Sequence, residues 1–116
     1  MKHDVRAFLA DAHDAAEGIE KRLHGVTLEQ YVGTEDLRLI TERLYITLAE
    51  ALNAAAKVDS ALTARVPNIS EIIAFRNILV HRYRRIDPAL VHALSIRDLP
   101  ALRTVLSGIL SELESK

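Results

Sequence analysis

The chain contains no cysteine and no tryptophan, and only four glycines and three prolines punctuate its 116 residues. Without cysteine there are no disulfides, thiolate zinc sites, iron–sulfur clusters or cysteine nucleophiles. So little glycine and proline argues against a sheet of many short strands, each of which needs its turn. Nowhere does an apolar run approach the roughly 20 residues that cross a bilayer. The opening Met1-Lys2-His3-Asp4 turns acidic quickly and lacks the apolar stretch of a signal peptide. These absences lead to the expectation of a cytoplasmic protein that makes no use of a membrane.

Apolar residues make up 49% of the chain and charged residues 27%, a balance that folds rather than one that stays disordered. The length suits one domain, residues 1–116, with no linker or repeat to divide it. The net charge of −1 conceals an asymmetry: residues 1–75 carry 8 Lys/Arg against 12 Asp/Glu, and residues 76–116 carry 7 against 4. A total near zero argues against coating nucleic acid indiscriminately, but Arg76, Arg82, Arg84 and Arg85 all precede the next acid, Asp87.

Leucine and alanine dominate at helical spacing. Phe8, Leu9, Ala12, Ala15, Ala16, Ile19 and Leu23 form one apolar face, which Gly25 ends as a left-handed cap. Thr27 and Gln30 have the spacing of a capping box for a short helix. The longest helix is expected from Glu35 to Leu62, burying Leu37, Ile40, Leu44, Leu48, Ala51, Leu52, Ala55, Val58 and Leu62. Ser70 is the expected N-cap of a third helix running to about Tyr83. Asp87-Pro88 restarts the chain as a short helix to about Leu94, and Asp98 caps the last one, with Leu99, Leu102, Val105, Leu106, Ile109, Leu110 and Leu113 on its face. The pattern predicts an all-α, up-and-down bundle of four main helices plus short ones.

The segment that carries chemistry is Arg76-Asn77-Ile78-Leu79-Val80-His81-Arg82-Tyr83. Its Arg-x4-His-x-Tyr spacing resembles the signature of HEPN domains and, in full form, of the HepT-like toxin family. The surroundings agree: Pro67 in a turn, Ile72-Ile73-Ala74-Phe75-Arg76-Asn77 on the helix, and Ile86-Asp87 stepping into the next one. Two features depart from that family. Ser70-Glu71 stand where a tryptophan is common, and Ala49-Glu50-Ala51 replaces a Gly-Glu-Ala step while keeping the acid.

On a regular helix Arg76 and Tyr83 fall within about 20° of each other, whereas His81 lies about 140° around from Arg76 and about 7.5 Å along. One chain therefore makes an awkward site. Two chains around a two-fold axis would bring two arginines and two histidines into one cleft, and the resemblance implies that homodimer. Arginine and histidine without a carboxylate cluster suit metal-independent cleavage of RNA, in which the ribose 2′-hydroxyl is the nucleophile. A histidine exchanges the proton, and a guanidinium holds the phosphate and its transition-state charge. His81 is thus the expected acid/base, Arg76 the phosphate binder and Asn77 an accessory, with Arg82, Arg84 and Arg85 against the RNA backbone. The resemblance further implies a MntA-like nucleotidyltransferase antitoxin that attaches AMP to Tyr83, adding bulk and negative charge in the cleft. It implies no cofactor and no metal.

Plainer roles stand beside these. Arg76 could pair with Glu71 or Glu50, His81 could be a cation at a helix C-terminus, Tyr83 a packed aromatic, and Asn77 a surface hydrogen bonder. Glu42 and Glu50, eight apart on the long helix, are candidates to order Arg76. His3 and His13, with Asp4, Asp11 and Asp14 nearby, read more simply as part of a solvated helix face than as metal ligands. His24 reads as a C-terminal cation, His92 as half-exposed, and Tyr31 and Tyr45 as packing residues. Two other functions fit the same residues: an RNA- or nucleotide-binding partner subunit of a nucleotidyltransferase that cleaves nothing, and a module that only dimerises.

Overall fold

A computed structural model describes residues 2–81 and 86–115. Among them lie seven helices and no strand: α1 (Lys2–Leu23), α2 (Leu28–Gly33), α3 (Glu35–Val58), α4 (Leu62–Arg65), α5 (Ile69–His81), α6 (Pro88–Arg97) and α7 (Leu99–Glu114). The fold is the all-α bundle that the apolar spacing predicts. No helix among the described residues is long and apolar enough to cross a membrane.

The long helices bury their stripes in one contiguous core. Leu9, Ala12, Ala16, Ile19 and Leu23 of α1 are enclosed, as are Leu48, Leu52 and Ala55 of α3 and Leu102, Leu106 and Ile109 of α7. Helix α1 packs along both α3 and α7, and α5 lies against α3. Ion pairs clip both ends of the α1–α7 seam: Arg6 with Glu114 at 3.0 Å and Glu20 with Arg103 at 2.7 Å. The early residue of α1 thus meets the late one of α7 and the reverse, so these helices run antiparallel. Helix α6 contacts α1, α2 and α7.

Several caps follow the sequence. Gly25 adopts φ 73°, where a side chain would be strained. Thr27 accepts from the Gln30 amide at 3.1 Å while Gln30 Oε1 accepts from the Thr27 amide at 3.0 Å, a reciprocal box that starts α2. Asp87 Oδ1 accepts from the Ala89 amide at 2.9 Å ahead of Pro88 at the first turn of α6.

Elsewhere the boundaries move. The long helix stops at Val58, not Leu62, because Asp59 turns its carboxylate to the Ala61 amide at 3.1 Å and redirects the chain into α4. Ile40 and Val58, expected inside, are exposed near the two ends of α3. Helix α5 begins at Ile69, so Ser70 lies within it. Asn68, in the left-handed region at φ 61°, precedes the helix, and its carbonyl accepts from the Ile72 amide at 2.9 Å. Helix α6 continues past Leu94 to Arg97. Asp98 sits at the start of α7 but makes no side-chain cap; its carboxylate is bound to Arg97 at 3.1 Å instead.

Candidate active site

Phe75 and Leu79, with half-buried Ile72 and Ile73, seat α5 in the core. The Phe75 ring meets Tyr45 of α3 edge-on, 5.4 Å between centroids and 79° between planes. Seating Phe75 in this way turns the next residue toward the rim of α3. There Arg76 Nη2 donates to Glu50 Oε2 at 3.2 Å and Nη1 donates to Asn77 Oδ1 at 3.1 Å. Its Nε is enclosed and has no partner among the described residues. Each Nη nitrogen carries two N–H groups, so at least one on each remains for an incoming phosphate oxygen.

Of the residues singled out in the sequence, the structure therefore brings Arg76, Asn77 and Glu50 together. Glu42 does not join them. It is half-buried beside Arg38, with burial pushing its carboxyl up and the Arg38 charge opposing that shift. Glu71 is exposed and makes no bond to Arg76. His81 is the last described residue of α5, exposed, and on the outward side of the helix with Ala74, Asn77 and Ile78. The described geometry leaves Arg76 and His81 of one chain on different sides of α5. Arg82, Tyr83, Arg84 and Arg85 lie outside the described residues.

A cavity of about 310 Å³ opens on another flank of α5, where it faces the α6–α7 corner. Ile72, Phe75, Leu94 and Leu102 contribute apolar walls, and Glu71 and Arg97 line it as well. None of Arg76, Asn77 or His81 lines it, so its volume does not mark the chemistry.

Other polar groups belong to the core. The Tyr45 hydroxyl lies 2.6 Å from Ser95 Oγ, which donates onward to the Val91 carbonyl at 2.7 Å. Burial pushes the Tyr45 phenol up to about 12 and moves Tyr31 the same way. Thr41 faces the Tyr31 hydroxyl, yet neither enclosed oxygen makes a hydrogen bond of good geometry. His92 Nε2 sits 2.8 Å from the Val26 carbonyl, which can only accept, so this nitrogen carries the proton. Its ring packs against Tyr31, so His92 fastens α6 to the turn before α2. His13 lies 3.4 Å from Asp14. Among the described residues no group of three or more His, Cys, Asp or Glu could hold a metal ion.

Comparison with known proteins supplies the chemical class. The model of a family described as Ribonuclease HepT-like matches residues 12–109. Two proteins of Methanocaldococcus jannaschii are similar along nearly their whole length. "Putative RNase MJ1380" is 25% identical over 104 residues, covering 88% of this chain and 93% of that one. "Putative RNase MJ0125" is 22% identical over 117 residues, covering 99% and 98%. No solved structure matches.

Proposed function

Because this chain belongs to the Ribonuclease HepT-like family, we propose that it is a metal-independent endoribonuclease, active as a homodimer and held in check by modification of Tyr83. The observation that supports this most is the arrangement on α5. One side presents a guanidinium braced by two acceptors, the outward side presents an exposed histidine, and Val80 on the arc between them and Ile78 beyond the histidine are apolar residues that the other described residues leave exposed. A second copy packed along the exposed side of α5, from Val80 round to Ile78, would bury that surface and bring a partner's histidine toward the arginine cleft.

In such a cleft the chemistry needs no group beyond the side chains and the RNA. A histidine takes the proton of the 2′-hydroxyl or returns one to the departing 5′-oxygen. As the 2′-oxygen bonds to phosphorus and the P–O5′ bond breaks, Arg76 carries the charge on the non-bridging oxygens. The products are a 2′,3′-cyclic phosphate and a 5′-hydroxyl. Arg82, Arg84 and Arg85 provide the electrostatic footing for the RNA backbone. AMP placed on Tyr83 by a nucleotidyltransferase antitoxin adds a phosphodiester charge that repels substrate, which makes the chain the toxin of a toxin–antitoxin pair.

The test is an RNA cleavage assay in excess EDTA with partner-free protein whose mass shows no AMP. Wild type should leave cyclic-phosphate ends, while Arg76→Ala and His81→Ala should leave RNA intact. Tyr83→Phe should cleave normally and escape the antitoxin. Binding of RNA without cleavage by the unmodified dimer would replace this reading with that of a binding subunit.

A further inference from the structure

The Arg76 guanidinium is held from two helices at once. Asn77, its neighbour on α5, accepts from Nη1, and Glu50 of α3 accepts from Nη2. A contact from the adjacent residue alone leaves the guanidinium plane free to swing with the side chain. A second acceptor on a different helix fixes the direction of that plane relative to the bundle.

Stability does not account for the pair. Glu50 is 52% exposed and Arg76 31%, and ion pairs this wet contribute little to folding. The carboxylate also lowers the positive potential where a phosphate would approach, a cost to binding that a purely electrostatic design would avoid. Both facts fit a role in orientation.

The geometry points to Glu50 as the positioning residue of the site: from α3 it sets the plane of Arg76, so that the remaining Nη N–H groups meet a phosphate in a fixed direction. This inference rests on the ribonuclease reading for its consequence in catalysis, though the positioning itself can be measured without RNA. Glu50 touches no substrate and acts through Arg76. Its hydrogen-bond acceptor and its charge have opposite effects, the first orienting the guanidinium and the second opposing RNA.

Glu50→Gln keeps an acceptor oxygen and removes the charge, while Glu50→Ala removes both. The experiment reads each variant twice. The first readout is the Arg76 Nε–H resonance in ¹H–¹⁵N spectra of the full chain, assigned by its loss in Arg76→Lys. The second is the division of any effect between kcat and KM on an RNA substrate. Glu50→Ala should shift the Nε–H resonance, speed its exchange with water and lower kcat about 10-fold, the scale of a modest misalignment. Glu50→Gln should restore the resonance and kcat, with KM at or below the wild-type value. An Arg76 resonance unchanged in Glu50→Ala, or a Gln variant as impaired as Ala, overturns the inference. Absence of cleavage by every form, wild type included, would defeat the ribonuclease reading while the resonance still decides whether Glu50 positions Arg76.

Discussion

The hydroxyls of Tyr45 and Ser95 meet at 2.6 Å in the core and tie α3 to α6. Since Ser95 spends its own proton on the Val91 carbonyl, Tyr45 is the donor of this bond. Tyr31 is equally buried, but its hydroxyl faces Thr41 without a hydrogen bond of good geometry among the described residues. The same substitution should therefore have different effects at the two sites. Tyr45→Phe keeps the edge-on packing on Phe75 and loses a buried hydrogen bond, a cost of about 1 kcal/mol. Tyr31→Phe deletes an unsatisfied buried oxygen and should leave stability unchanged or raise it by up to about 1 kcal/mol. Urea unfolding of the two variants checks this, and equal losses would mean that Tyr31 is hydrogen-bonded in solution.

Alkaline pH should unfold the bundle through the same two phenols. A phenol whose folded pKa lies above its unfolded value of 10.0 binds its proton more tightly in the native state. Its contribution is then intact below pH 10 and is lost as pH rises toward about 12, the value to which burial moves Tyr45. For Tyr45 the loss is of the order of 2–3 kcal/mol across that window. Burial shifts Tyr31 in the same direction and steepens the fall. Thermal melts from pH 8 to 11.5 should show a midpoint that declines above pH 10, and the double Phe variant should decline less. Equal slopes in the two proteins would place the alkaline sensitivity elsewhere.

The two ion pairs on the α1–α7 seam should differ in strength. Glu20 and Arg103 are 24% and 32% exposed, whereas Glu114 and Arg6 are 60% and 57% exposed. Partial burial raises the Coulomb attraction and lessens salt screening, while the outer pair is freely solvated. Double-mutant cycles with alanine should give a coupling of about 1 kcal/mol for Glu20–Arg103 and less than about 0.5 kcal/mol for Arg6–Glu114. Raising the salt to 1 M should leave more of the first than of the second.

The sequence made the bundle readable because its information was local. Apolar residues three and four apart set the faces of α1 and α7, and Gly25, Thr27 and Asp87-Pro88 have backbone requirements that few other residues meet. What it obscured depended on competition between neighbours. Asp98 looked like a cap until Arg97 took its carboxylate, and Ser70 looked like one although Asn68 had already turned the chain. Of the two acids that could have ordered Arg76, only the packing of α3 against α5 selects Glu50 over Glu42. One signal about the site was legible but easily passed over. Helix α5 carries apolar residues on nearly every side, from Ile69 and Ile72 through Ala74 to Ile78 and Val80, although it packs mainly against α3. A helix apolar all round expects cover on more than one side.

That exposed surface leads to the last prediction. Ile78 is 42% exposed on the outward side of α5 together with His81 and Ala74. If a second copy covers it, Ile78→Glu should yield a folded monomer by analytical ultracentrifugation, helical by circular dichroism and unable to cleave RNA. Arg76 and His81 face about 140° apart on one helix, so if both serve one RNA, as proposed, they should come from different chains. Arg76→Ala and His81→Ala are each inactive alone under this arrangement. Co-refolded in equal amounts, they should form about half heterodimers, each with one of its two Arg–His pairs intact, and regain about a quarter of wild-type activity. Restored cleavage would establish that the site is shared. An inactive mixture, with heterodimers confirmed by mass, would mean that each chain closes its own Arg76–His81 pair and that α5 must unwind near its end to do so.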